Sequence, residues 1–306
     1  MTEKNGLVAG IEAGGTKFIC AVADGEGAVL ELARIATRTP EETFRDVRDF
    51  FAGASAAHGP VAGAGVASFG PLDLRPGSPN YGHLTTTPKP GWQGFDIGGA
   101  VRETLGAPVR IDTDVNCAAR AEGMAGAARG LSHFAYMTVG TGIGVGVFSA
   151  GDSVRGAGHT EIGHMRVPRA AGDERFPGVC PYHGDCVEGL ASGPAMAERW
   201  GSPAEELPDD HDGWRIEAFY IGTLCANLTF ALRPERIILG GGVFQRASLY
   251  ERVRTAYRAA AAGYALSEIE QDTESFLASP GLTQEPPGLV GALLLGKRAA
   301  ESIRGG

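Results

Sequence analysis

The sequence predicts an α/β protein made of two duplicated domains with a cleft between them, and three observations carry that prediction. A chain of 306 residues that is 43% hydrophobic exceeds what one core usually organises, so two packed domains are expected. A strand, a glycine turn and a second strand occur at residues 7–11, 13–16 and 18–23, and the same pattern returns at 134–139, 140–144 and 145–148. Between and after these copies, apolar strands alternate with amphipathic helices, the order of an α/β fold.

Between the copies the pattern gives an amphipathic helix at 40–58, a strand at 63–68 and an irregular loop at 70–94. A helix at 95–105, a strand at 109–112 and a helix at 116–129 follow. After the second copy come a polar Cys/His insertion at 155–188, helices at 193–200 and 214–232, and a strand at 236–239 ending in three glycines. A helix at 249–261, a strand near 275–278 and a last helix at 289–300 complete the order. The expected domains are therefore 1–117, with the terminal helix 289–306 packing back on it, and 118–288, which carries the 155–188 insertion.

Composition excludes several function classes. A net charge of -9 disfavours a phosphate-backbone binder, whose affinity rests on clustered Lys and Arg, so no nucleic-acid partner is expected. No apolar run reaches the roughly 18 to 20 residues of a membrane helix, and residues 1–5 lack the features of a signal peptide, so the expected location is cytoplasmic, without membrane association. Five cysteines, an odd number, do not suggest a disulfide framework; Cys20, Cys117 and Cys225 sit among apolar or small residues as buried thiols.

The chemistry-bearing motifs begin with Gly10-Ile11-Glu12-Ala13-Gly14-Gly15-Thr16-Lys17. Gly14 and Gly15 let backbone N–H groups approach phosphate oxygens, Thr16 and Lys17 add a hydroxyl and a cation, and Glu12 suits Mg²⁺ held through water. A plain hairpin turn explains this segment equally well by itself. The second turn, Thr138-Val139-Gly140-Thr141-Gly142, repeats the logic and strengthens the phosphate interpretation of both. A third turn, Gly240-Gly241-Gly242, follows an apolar strand and suits packing against a nucleoside.

Asp112-Thr113-Asp114-Val115-Asn116 closes a strand and opens a helix, where α/β proteins place ligands. Asp114 is the candidate general base for a sugar hydroxyl; a helix cap is the competing explanation. His164 with Cys180, His183 and Cys186 supplies a complete tetrahedral Zn²⁺ set, which leaves no position for a catalytic water and so points to a structural ion. Glu161 and Glu188 flank that set as acceptors for sugar hydroxyls, or as solvated surface carboxylates. A zinc deaminase shares His159-x-Glu161, but its P-C-x-x-C does not match cysteines six apart preceded by Val179.

Together these segments resemble the ROK family of bacterial sugar kinases and repressors, specifically its fructokinase branch, from Ile11 to about Gly291. The resemblance implies duplicated RNase H-like domains of the actin/hexokinase ATPase type, and ATP-dependent phosphorylation of a hexose, with fructose to fructose 6-phosphate foremost. Glucose, mannose and N-acetylhexosamine kinases of the same family, and a non-enzymatic sugar sensor, are the alternatives. It implies ATP, Mg²⁺ and Zn²⁺ as cofactors, a homodimer, and Asp114 as base. Glu12, Gly14, Gly15, Thr16 and Lys17 form the first phosphate site and Thr138, Gly140, Thr141 and Gly142 the second. Gly240, Gly241 and Gly242 border adenosine, Thr113, Asn116, Glu161, His164 and Glu188 face the sugar, and His164 also serves the metal. Glu12 and Thr113, where glucokinase-like members often carry Asp and Asn, and the C-x-x-H-x-x-C spacing at 180–186, favour the fructokinase branch. With the first strand starting at Leu7, no DNA-binding module is expected ahead of it.

Overall fold

The computed structural model describes residues 6–304, so the leader prediction for residues 1–5 lies outside the described residues. The chain divides into two compact units, one of Met1–Ala121, Val154–His159 and Leu282–Gly306, the other of Glu122–Ser153 and Thr160–Gly281.

In the first unit β1 (Leu7–Ala13) and β2 (Lys17–Ala23) form an antiparallel hairpin, and β3 (Val29–Ala36) adds to its edge. Helix α1 (Pro40–His58) leads to β4 (Val61–Ser68), α2 (Ile97–Leu105) to β5 (Val109–Thr113), and β5 runs directly into α3 (Asp114–Ala125). The sheet order is β3-β2-β1-β4-β5, with β4 parallel to both β1 and β5. Strand β1 is covered on both faces, which is why it reads as an unbroken apolar run. Thr39 and Glu42 cap α1 reciprocally, Pro40 fits its first turn, and Phe44, Val47, Phe51 and Ala54 bury one stripe of it. Phe18, Phe44, Phe69 and Phe95 ring the buried Trp92, whose indole N–H donates to the Arg38 carbonyl at 2.8 Å.

In the second unit β6 (Phe134–Val139) and β7 (Ile143–Ser149) form the corresponding hairpin, with β8 (Asp152–Ser153) on its edge. After the Cys/His segment come α4 (Val187–Ala191), α5 (Gly193–Trp200), α6 (Gly213–Leu232) and β9 (Arg236–Gly240). Then follow α7 (Ser248–Ala261), the short α8 (Glu268–Gln271) and α9 (Thr273–Phe276), and β10 (Leu277–Ala278). The order β8-β7-β6-β9-β10 matches the first sheet strand for strand, and β9 is parallel to both β6 and β10. The two sheets share one topology, which is the duplicated RNase H-like, actin-type architecture.

The last helix, α10 (Pro287–Arg304), belongs to the first unit and lies on β1, β4 and β5. Its seat is backbone against backbone. A Cβ on Gly65 would stand 1.9 Å from the Ala292 carbonyl oxygen, and one on Gly63 2.5 Å from that of Gly296. Glycine at 63 and 65 is therefore a condition of the helix sitting there. Among the described residues no helix is long and apolar enough to cross a membrane.

Several sequence expectations are corrected. Only the second half of the strand near 275–278 forms: Ser275 and Phe276 close α9, and Leu277 and Ala278 pair with β9. Helix α3 starts at Asp114 and ends at Ala125, because Thr113 caps it and the chain turns at Gly126. The 155–188 insertion is divided, since residues up to His159 group with the first unit. Strands β3 and β8 were not expected at all.

Candidate functional site

The candidate residues fall into two sets, one in each unit, and both sets stand at the C-terminal ends of parallel strands, where α/β sheets leave room for ligands.

In the first unit Gly14, Gly15, Thr16 and Lys17 form the β1–β2 turn, with Gly15, Thr16 and Lys17 exposed. The turn is pinned by Gly14 N–H on the Lys17 carbonyl at 3.0 Å and by Thr37, whose hydroxyl donates to the Gly14 carbonyl at 2.7 Å. A Cβ on Gly15 would meet nothing within 4 Å, and its φ is not positive. The fold itself has no need of glycine there. Glu12, just below, is mostly buried: it accepts the Leu289 N–H, while its Oε2 is buried with no hydrogen-bond partner. Burial, with the Asp114 charge second, pushes its pKa up to about 7 against the pull of the Leu289 N–H and Lys17. An orphaned carboxylate oxygen beside an exposed glycine turn fits a hydrated cation.

Asp114 opens α3, half-buried, with its Oδ1 accepting the Val115 N–H at 2.8 Å. Thr113 and Asn116 are buried. Thr113 Oγ1 accepts the Asn116 N–H at 3.2 Å and caps the helix, and Asn116 Nδ2 donates to Asp112 Oδ1 at 2.8 Å. These contacts place both residues around Asp114 as its supports. The sequence pattern missed Asp112, Thr37, Arg155 and His159 as parts of this set, whose partners lie 23 to 87 residues away for Thr37, Arg155 and His159.

In the second unit Thr138, next to last in β6, pairs with Gly240 at the end of β9, so the Gly140-Thr141-Gly142 turn and the Gly240-Gly241-Gly242 turn emerge side by side. Gly241 has φ 94°, and a Cβ there would strike the Val139 carbonyl at 2.3 Å, so its glycine is structural. Gly242 has an open Cβ position and Gly140 only a distant neighbour at 3.9 Å, like Gly15. Two other segments hold the second turn in shape. Glu188 Oε2 accepts the Ile143 N–H at 3.0 Å, and Gly193 N–H donates to the Gly140 carbonyl at 2.7 Å.

The ligand atoms of His164, Cys180, His183 and Cys186 all lie within 4.8 Å of one another. His164 Nδ1 is 3.4 Å from Cys186 Sγ and 3.7 Å from Cys180 Sγ, and His183 Nδ1 is 3.6 Å from Cys180 Sγ. Usual zinc bonds of about 2.3 Å to sulfur and about 2.0 Å to nitrogen set roughly 3.5 Å between tetrahedral neighbours, so the four donors fit such an ion. With Nδ1 turned to the sulfurs, His164 Nε2 faces Glu161 and Glu188, each at 4.0 Å. Glu161 is exposed and Glu188 half-buried.

The description "ROK family" belongs to a family model that matches residues 8–299. A fructokinase of Pediococcus pentosaceus is 42% identical over 97% of this chain and 99% of its own length. A fructokinase of Zymomonas mobilis is also 42% identical, over 93% of this chain and 94% of that one. Among solved structures, a ROK family glucokinase from Streptomyces griseus in complex with glucose and AMPPNP superposes with a TM-score of 0.74 at 26% identity, covering 96% of this chain and 100% of that one.

Proposed function

The chain belongs to the ROK family, and from that premise we propose that it is a kinase that moves the γ-phosphate of Mg·ATP onto a hydroxyl of a hexose, with fructose the leading acceptor and its 6-hydroxyl the target. The observation that carries this is the similarity to fructokinases along nearly the whole length of both chains. Glycine turns with unneeded openness at Gly15, Gly140 and Gly242 support it from the structure.

In this assignment Asp114 accepts the proton of the acceptor hydroxyl, and Asp112, Thr113 and Asn116 hold the turn that presents it. Gly14 and Gly140 shape the two turns through their own N–H bonds to the Lys17 and Gly142 carbonyls; the amides of Gly15, Thr16, Thr141 and Gly142, with Thr138 and Lys17, receive phosphate oxygens, and Gly240 to Gly242 border the nucleoside. Glu12 would hold Mg²⁺ through water; the bound ion offsets phosphate charge. Thr113, Asn116, Glu161, His164 and Glu188 are assigned to the sugar side, with Thr113 and Asn116 acting through Asp114. His164, Cys180, His183 and Cys186 would hold Zn²⁺, which orders the segment bearing Glu161 and Glu188. A cytoplasmic homodimer completes the proposal.

A coupled ADP-release assay across fructose, glucose, mannose and N-acetylated hexosamines tests it. The expected result is the highest kcat/KM with fructose. Preference for another hexose overturns the acceptor, and turnover of none with Mg·ATP replaces the kinase by a sugar sensor.

A further inference from the structure

Taking the kinase assignment above as given, we propose that Asp112 and Arg155 form a positioning pair that fixes the first turn of α3 and with it the orientation of Asp114.

Asp112 has 0% side-chain exposure, and both of its oxygens are engaged. Oδ1 accepts the Thr113 N–H at 2.9 Å and the Asn116 Nδ2 at 2.8 Å, gripping the residues immediately before and two after Asp114. Oδ2 pairs with the Arg155 guanidinium, while Arg120 stands 3.9 Å away, beyond hydrogen-bond reach. A carboxylate buried this completely carries a large desolvation cost unless a cation meets it; Arg155 hydrogen-bonds it directly and Arg120 adds its charge from 3.9 Å.

Arg155 comes from far along the sequence but belongs to the same unit. It forms one stem of a small hairpin, bridged Arg155 to His159, with Gly156 N–H on the Gly158 carbonyl at 3.0 Å. The other stem, His159, accepts the Leu72 N–H on Nε2 at 3.0 Å. The hairpin is thus tied to the unit at two points, one on the loop after β4 and one on the carboxylate beneath Asp114. Its glycines at 156 and 158 have open Cβ positions. A side chain 32% exposed overall and anchored on a fully buried acid is built to transmit the hairpin's position to α3.

If the pair works this way, the two charges matter to each other more than either matters to substrate. Arg155→Ala should lower kcat for fructose about tenfold or more, a modest case of the loss that follows misplacing a catalytic group, with KM for fructose and for Mg·ATP within about twofold of wild type. Asp112→Asn keeps an oxygen for Thr113 and Asn116 but turns an amide on the guanidinium, and should also lower kcat at unchanged KM. Combining the two removes a pair that either single change already breaks, so kcat should fall no further than in the worse single variant, a strong positive coupling in the double-mutant cycle.

A purely structural role would lower the fraction of folded protein and leave kcat per folded molecule unchanged. A direct contact of Arg155 with sugar would raise KM for fructose instead. Either a raised KM without loss of kcat in Arg155→Ala, or a double variant whose loss is the product of the two single losses, overturns the proposal. Should Arg155→Ala not fold, wild-type kcat in folded Asp112→Asn overturns it equally. Wild-type protein that phosphorylates no hexose defeats the kinase assignment and this pair's catalytic meaning together, whereas active wild type with independent, multiplying losses in the variants defeats the pair alone.

Discussion

The two units share one strand order but hold their candidate residues by different means. In the first, the outer strands β3 and β5 run eight and five residues, and the β1–β2 turn and the start of α3 directly continue β1 and β5, steadied by hydroxyl contacts and one buried ion pair. In the second, β8 and β10 have two residues each, and the glycine turn after β6 depends on Glu188 and Gly193 from the segment around the Cys/His cluster. A long, well-paired sheet presents its residues with a few added bonds; a short one leans on a neighbouring segment that must itself be ordered.

Four measurements would break or sharpen that contrast. The largest expected effect is at Asp114: Asp114→Ala should cost about 10² to 10⁴-fold in kcat while Mg·ATP affinity, read by calorimetric titration, changes little. A variant with wild-type turnover would empty the first unit of its catalytic role. Next comes the cluster. Chelation or Cys186→Ser should lower the melting temperature by about 10 °C or more and raise hydrogen exchange at 140–144 and 160–190, leaving 12–17 and 113–116 protected. Equal loosening of both regions would erase the difference between the units.

Third, Gly15→Ala and Gly242→Ala should each weaken Mg·ATP binding about tenfold at unchanged thermal stability, because a Cβ at either position meets no protein atom. Gly65→Ala should instead unfold the chain readily, by more than about 3 kcal/mol, since α10 must leave its seat. The smallest effect is the pH dependence of Glu12. Its carboxyl titrates near 4.5 unfolded and about 7 folded, so the folded state keeps a proton that the unfolded state has lost between those values. Stability without Mg²⁺ and nucleotide should therefore fall as pH rises from about 4.5 to about 7 and level off above, and Glu12→Gln should flatten that slope in thermal melts.

What the sequence disclosed was whatever is local. Gly14, Gly15 and Lys17 announce a turn through adjacent residue types, and Cys180, His183 and Cys186 announce a metal set through spacing alone. Helix α1 is legible to the residue because Thr39, Pro40 and Glu42 form a complete start signal and Gly59 a stop. Strand β3 escaped because it is an exposed edge without a clean alternation. The expected strand begins two residues before β10 because Phe276, beside Leu277, closes a helical turn as readily as it extends a strand. Arg155 on Asp112, His159 on Leu72 and Glu188 on Ile143 join residues 43, 87 and 45 apart, and nothing periodic links such pairs. The resemblance assigns Thr113 and Asn116 to the sugar; their bonds to the helix start and to Asp112 are local contacts that residue types alone do not disclose.

The seat of α10 also dictates an order of events during synthesis. Strands β1 and β4 leave the ribosome well before the helix that covers their glycine-lined face, which follows every other described element. Residues 160–281 have all emerged by then, so the unit that starts later in the chain is the one able to finish first. The first unit must wait, partly open, for the helix that closes it.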